Sequence, residues 1–136
     1  REWLAIVTAL TSLPSGPFSH VFINCFIQYW LPVPPVSENL IQCLVSHINE
    51  RMEAVECDHG PMNACILLHA LAYKYSGVVS EGLLSPEILG GLLRILRDPT
   101  NRLLQMLALQ ALEAFAKCNV NKVKILDAGI CTPFTH

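Results

Sequence analysis

Apolar side chains recur along most of the chain at three- and four-residue intervals, and proline and glycine cut that pattern into helix-length pieces. Glu2 to Leu13 carries Leu4, Ile6, Val7, Leu10 and Leu13 in such a pattern and stops at Pro14. Ser15 and Pro17 form a start signal, since proline is pre-set for a first helical turn. The second helix is expected from Pro17 to about Leu31, where Pro32, Pro34 and Pro35 forbid continuation. Ser37 is a candidate N-cap for a third helix, Glu38 to about Asn49, with Leu40, Ile41, Leu44, Val45 and Ile48 on one stripe. The polar run Glu50 to Asp58 reads as a loop.

Pro61 reopens a helix that is expected to reach Ser76, with Gly77 where a left-handed C-cap residue belongs. Ser85-Pro86-Glu87 supplies a cap hydroxyl, a first-turn proline and an acid favoured by the helix dipole, so a helix is expected over Pro86–Arg97. Asp98-Pro99 is expected to cap the next one, which runs to about Lys117. Its Leu103, Leu104, Met106, Leu107, Leu109, Leu112 and Phe115 surround the axis and predict burial nearly all round. Asn119 or Asn121 begins a last short helix ending near Gly129. No stretch alternates polar and apolar residues between hairpin turns, so the expected class is all-α.

These helices pair into three units, about 2–31, 37–76 and 86–118, and a further repeat begins at 121–130. The spacing between units is about 36 and then 48 residues, near the ~40–47 of HEAT and armadillo repeats. A two-helix unit cannot bury its own apolar faces, so stacking is what makes such an array stable. The expectation is a single domain, a short armadillo/HEAT-like α-solenoid of about three helical hairpins. An irregular helical bundle is the plainer alternative.

Composition narrows the function. The chain has 136 residues, 52% hydrophobic and only 15% charged, with a net charge of −2. Nine Lys+Arg against eleven Asp+Glu argue against a nucleic-acid-binding surface. The densest apolar run, Val21 to Val33, is interrupted by Asn24, Gln28 and Pro32 and is too short to span a bilayer. The chain opens Arg1-Glu2-Trp3 without a signal pattern, and with its apolar excess it reads as an excerpt of a longer protein or a processed product. Uncovered ends are then expected at Trp3, Leu4 and Val7 and at Val123, Ile125, Leu126 and Ile130, with self-association, or a need for another segment of the parent protein, as the consequence.

The stretch Leu84 to Pro99, reading LSPEILGGLLRILRDP, resembles the second helix and turn of an armadillo repeat, and Ala108 to Ala116 resembles its third helix. Asn121 to Ile130 resembles the first helix of a following repeat. Gly82 to Leu89 together with Met106 to Ala116 is similar to the helical region upstream of the SPRY domain in RING finger and SPRY domain-containing proteins. The order of the other elements agrees, including the proline-rich turn Leu31-Pro32-Val33-Pro34. That resemblance implies a piece of a ubiquitin-ligase-type protein whose RING lies elsewhere, because no Cys-x-x-Cys pair occurs among the six cysteines here.

Cysteine and histidine recur together. Cys43 and His47, and Cys65 and His69, each share a helical face at four-residue spacing, with Cys57 and His59 between them. A metal- or thiol-dependent domain is therefore one alternative, although the spacing matches no established zinc framework. The plainer reading makes Cys25, Cys43, Cys65 and Cys118 small buried hydrophobes in a reducing, cytoplasmic-type compartment.

Catalysis has little support. Ser15, Ser37 and Ser85 stand where helix caps belong, and Gly90-Gly91 lies inside a helix, which suits close helix approach rather than a phosphate loop. Glu50, Glu53 and Glu56 read as a solvated face. The chain is thus expected to be non-enzymatic and to need no cofactor. A peptide-binding armadillo protein is the third alternative. The ladder of asparagines that the armadillo resemblance implies is replaced here by Tyr73 and Ala114, neither of which carries a side-chain amide. Tyr29, Trp30, Tyr73 and Tyr75 are the candidate anchors for a protein partner or for other domains of the parent protein.

Overall fold

Start signals in the sequence become helix starts in the structure. The computed structural model describes residues 2–14, 17–30, 32–49 and 59–128, at His59 by the backbone alone. Those residues form eight helices and no strand: α1 (Glu2–Thr11), α2 (Pro17–Tyr29), α3 (Glu38–Ile48), α4 (His59–Lys74), α5 (Val78–Leu83), α6 (Pro86–Arg97), α7 (Arg102–Phe115) and α8 (Asn119–Asp127). Ser37 Oγ accepts from the Leu40 N–H at 3.2 Å, and Ser85 Oγ accepts from the Ile88 N–H at 3.2 Å. Both serines are therefore caps, each satisfying one of the orphan donors of a first turn.

Several boundaries differ from the expected ones. Asp98 does not cap α7. Its carboxylate accepts from the Thr100 N–H (3.0 Å) and hydroxyl (2.7 Å), closing a turn, and Asn101 caps α7 through the Leu104 N–H at 3.0 Å. Pro61 lies inside the first turn of α4, where the missing N–H costs nothing. Gly77 does take positive φ (78°), but it precedes α5 rather than closing α4, and its carbonyl accepts the Glu81 N–H at 2.8 Å. Helix α5 itself was not expected; six residues with Gly82 inside them are too few to display a helical period.

Helix contacts fall into two rows. One consists of α1, α3 and α6, with α3 touching both others; the second consists of α2, α4 and α7, with α4 in the middle. Cross-contacts α1–α4, α3–α4 and α6–α7 join the rows, and α5 and α8 pack on each other beside α4 and α7. The hub is α4, buried at every position from Gly60 through Leu68 and again at Ala70–Ala72. Expectation had placed that role on α7. Leu107, Leu112 and Phe115 are indeed buried, but Leu103, Met106 and Leu109 are exposed, because α4 covers one side of α7 and no described helix covers the opposite one. The expected uncovered ends also need correction. Trp3, Val7 and Ile125 are buried and Leu4 is half-buried, Val123 and Leu126 are exposed, and Ile130 lies outside the described residues.

Gly91 explains how closely the first row packs. A Cβ there would lie 2.7 Å from Ile48 Cγ2, so α6 approaches α3 at a distance only glycine permits. Its neighbour Gly90 is exposed and meets nothing within 4 Å. Close approach accounts for one of the two glycines.

Candidate interaction surface

Because α2 and α4 lie side by side, one edge of each borders a cleft of about 490 Å³. Asn24, Ile27 and Gln28 line it from α2, and His69, Ala70, Tyr73 and Lys74 from α4. Ile27 and Ala70 are buried and form its floor; the amides of Asn24 and Gln28 stand one turn apart on the rim. Asn24 Nδ2 donates to the His20 carbonyl at 2.8 Å, which orients its amide along α2. Opposite, the His69 ring stacks on Tyr73 with centroids 6.3 Å apart, and Lys117 Nζ sits 4.3 Å from the Tyr73 centroid. A cation over a tyrosine face is held by the ring quadrupole. Burial holds the His69 imidazolium below its ordinary range, and the charges of His20 and Lys117 push the same way against the opposing pull of Glu113.

Lys74 closes one end of the cleft. Its ammonium donates to the carbonyls of Ile27 (2.6 Å), Gln28 (3.1 Å) and Trp30 (2.5 Å), the unpaired C-terminal acceptors of α2. The Tyr75 hydroxyl lies 3.4 Å from the Trp30 carbonyl and 3.3 Å from that of Pro32, and Lys74 stands 5.2 Å over the Tyr75 ring. The structure thus gathers Trp30 and Tyr75 around the end of α2 as packing groups, both half-buried. Tyr73 stands in the cleft, 67% exposed, and Tyr29 is 75% exposed on a different flank of α2.

A ladder of rings that the helical pattern alone does not single out runs along α2. Phe18, Phe22, Phe26 and Trp30 stack in succession, with centroids 5.9, 6.2 and 5.4 Å apart and interplanar angles below 30°. The four-residue spacing was visible, but it resembles any buried helix stripe. Only the structure reveals that its Phe18 end is 73% exposed. In the sequence Asn24 and Gln28 interrupt an apolar run, with nothing local to say what faces them.

The cysteine–histidine pairs are kept apart. His47 Nε2 lies 3.3 Å from the Thr11 hydroxyl on the α1 side of α3, whereas His69 faces the α2–α4 cleft. Cys65 is fully buried, and burial pushes its thiol up to about 12, far from a reactive or ligating thiolate. Among the described residues no three His, Cys, Asp or Glu side chains come together as a metal site. Cys57, the side chain of His59, Ser15, Glu50, Glu53 and Glu56 lie outside the described residues. No helix among the described residues is long and apolar enough to cross a membrane. The chain matches no family model and no solved structure.

Proposed function

We propose that this chain is a non-catalytic, armadillo-like helical-repeat module that binds an extended segment of a protein partner in the α2–α4 cleft. The observation that carries the reading is the pairing of two rim amides with an exposed tyrosine across one cleft. A side-chain amide both donates and accepts, as does each residue of an extended peptide backbone, and Tyr73 offers a rigid amphipathic surface for a partner side chain. Ala114 is buried in α7, so a ladder of contacts does not continue along the row and the bound segment is short.

The repeat reading has separate support. α5 begins at Val78 and α8 at Asn119, which is 119 − 78 = 41 residues later, within the ~40–47 period of such repeats. The two short helices stack on one another, as do the members of each row of longer ones. The wider assignment, to a ubiquitin-ligase-type protein carrying its RING and SPRY segments elsewhere, rests on residues 82–89 and 106–116. A RING cysteine–histidine framework in the same reading frame is its test.

Selection from a displayed peptide library tests the cleft. Wild-type protein should enrich a set of related peptides, and Tyr73→Ala and Asn24→Ala should each weaken their binding at least about tenfold, as loss of an interface anchor does. Both positions lie on the cleft rim, so circular dichroism should be unchanged. Peptides bound equally well by wild type and both variants would reject this site.

A further inference from the structure

We propose that the chain stacks head to tail on a second copy of itself, the ring ladder of α2 in one copy meeting the α7–α8 end of the next. Within the row α2–α4–α7, α4 is flanked on both sides, whereas α2 and α7 each have one such neighbour among the described residues. At about 100° per residue, Phe18, Phe22 and Tyr29 lie within about 40° of one another on α2 and roughly 80–160° around the helix from Asn24 and Gln28, and none of the three lines the cleft. The proposed contact is therefore separate from the cleft and goes beyond the peptide-binding reading.

The exposed flank of α2 is unusual chemically. Pro17–Tyr29 contains no Asp, Glu, Lys or Arg, and its exposed large hydrophobic side chains are Phe18, Phe22 and Tyr29 on this flank and Val21 toward the Gln28 side. At the other end, α7 exposes Leu103, Met106 and Leu109, and α8 exposes Val120, Val123 and Leu126. A single raised ladder of rings fits the seam between two helices, α7 and α8, better than it fits an identical ladder. An uncharged flank also brings no like charge to Arg102 or Lys122 at the receiving end.

The areas match. Aromatic side chains bury ~150–250 Å² each, so the α2 flank offers on the order of 400 Å² of exposed apolar surface. Six half-exposed aliphatic side chains offer on the order of 300 Å² at the other end. Since an ordinary interface is only ~57% apolar, about 700 Å² of apolar contact corresponds to roughly 1,200 Å² in all, the lower edge of the stable range. Association of that size is reversible and concentration-dependent. A head-to-tail contact leaves one end of each kind free on the dimer, so stacking proceeds beyond it.

Sedimentation of the full chain from low to high micromolar concentration tests this, using Phe22→Glu, Met106→Glu and their equimolar mixture. The average mass of the wild type should rise past that of a dimer without a plateau. Each variant alone should remain monomeric with unchanged helicity, and the mixture should form a discrete dimer and nothing larger, because each variant retains one working end. If either substitution lowers helicity, Phe18→Lys and Leu103→Lys replace it at the same two ends. A wild type that stays monomeric, or a Met106→Glu variant that still dimerises through α2, would overturn the proposal.

Discussion

The ammonium of Lys74, on the last turn of α4, lies 2.5 Å from the backbone carbonyl of Trp30, just beyond the end of α2. The same solution recurs across the fold. Lys124 of α8 donates to the carbonyls of Glu81 (2.7 Å) and Leu84 (3.1 Å) at the end of α5, and Asn63 of α4 donates to those of Leu13 (2.7 Å) and Thr11 (3.4 Å) at the end of α1. Gln105 of α7 reaches the Leu96 carbonyl of α6 at 2.8 Å. Each helix leaves its last carbonyls without an intrahelical partner, and here a side chain of a neighbouring helix fills the gap where a glycine cap is absent. Packing and capping are thereby coupled: the donor is in place only when the next element has docked.

That coupling makes Lys74 a stability residue. Lys74→Met keeps the aliphatic stem and removes the donor, leaving the part-buried carbonyl of Ile27 unpaired and that of Trp30 with only the long contact from the Tyr75 hydroxyl. The expected cost is about 1–3 kcal/mol by urea denaturation. An unchanged midpoint would mean that water takes over all three acceptors.

The adjacent glycines should respond with opposite signs. Gly90→Ala adds a methyl to an exposed position in mid-helix with open space around it, and a gain of about 0.5–1 kcal/mol is expected. Gly91→Ala drives a Cβ against the β-branched, buried Ile48, and a loss of about 1–3 kcal/mol is expected. Thermal denaturation of both variants, side by side, decides the matter, and equal shifts would contradict the close approach of α6 to α3.

The sequence was most readable where the governing interaction is local. Ser37, Ser85 and Pro86 mark helix starts through contacts within three residues, so their reading survives in the structure. The all-helical class follows from periodicity alone. Which side of an all-apolar helix is covered is not local information: Leu103, Met106 and Leu109 look identical to Leu107 and Leu112 until α4 occupies one side. For the same reason Trp30 and Tyr75 emerge as supports of the α2 end, while Tyr73 is the candidate that reaches the cleft. Asn24 and Gln28 acquire meaning only once α4 lies opposite.

Thiol chemistry should separate the cysteines. Cys25 is exposed and should react with a maleimide in the native protein, whereas Cys65 is fully buried with its thiol pushed up to about 12. Because the thiolate is the reacting species, Cys65 should be modified only when denaturant opens the α4 core. Peptide mapping after a native pulse reads this directly, and native labelling of Cys65 would show that α4 is less enclosed than its contacts indicate.

His69 gives the fold a predicted pH dependence. Its ring is desolvated against Tyr73 and repelled by the positive charges of His20 and Lys117, so the folded state holds its pKa below the ordinary 6.5 while the unfolded chain does not. Between those two values the unfolded state binds more protons, and stability therefore rises with pH through that window. The contribution is fully present above about pH 6.5 and is lost as pH falls through the folded value. His69→Gln removes the titrating group while keeping a polar side chain of similar reach. The midpoint of wild-type denaturation should fall more steeply than that of the variant between about pH 7.5 and 5.5, the range in which histidine titrates. Parallel pH profiles for the two proteins would place the His69 ring in water rather than in the α2–α4 cleft.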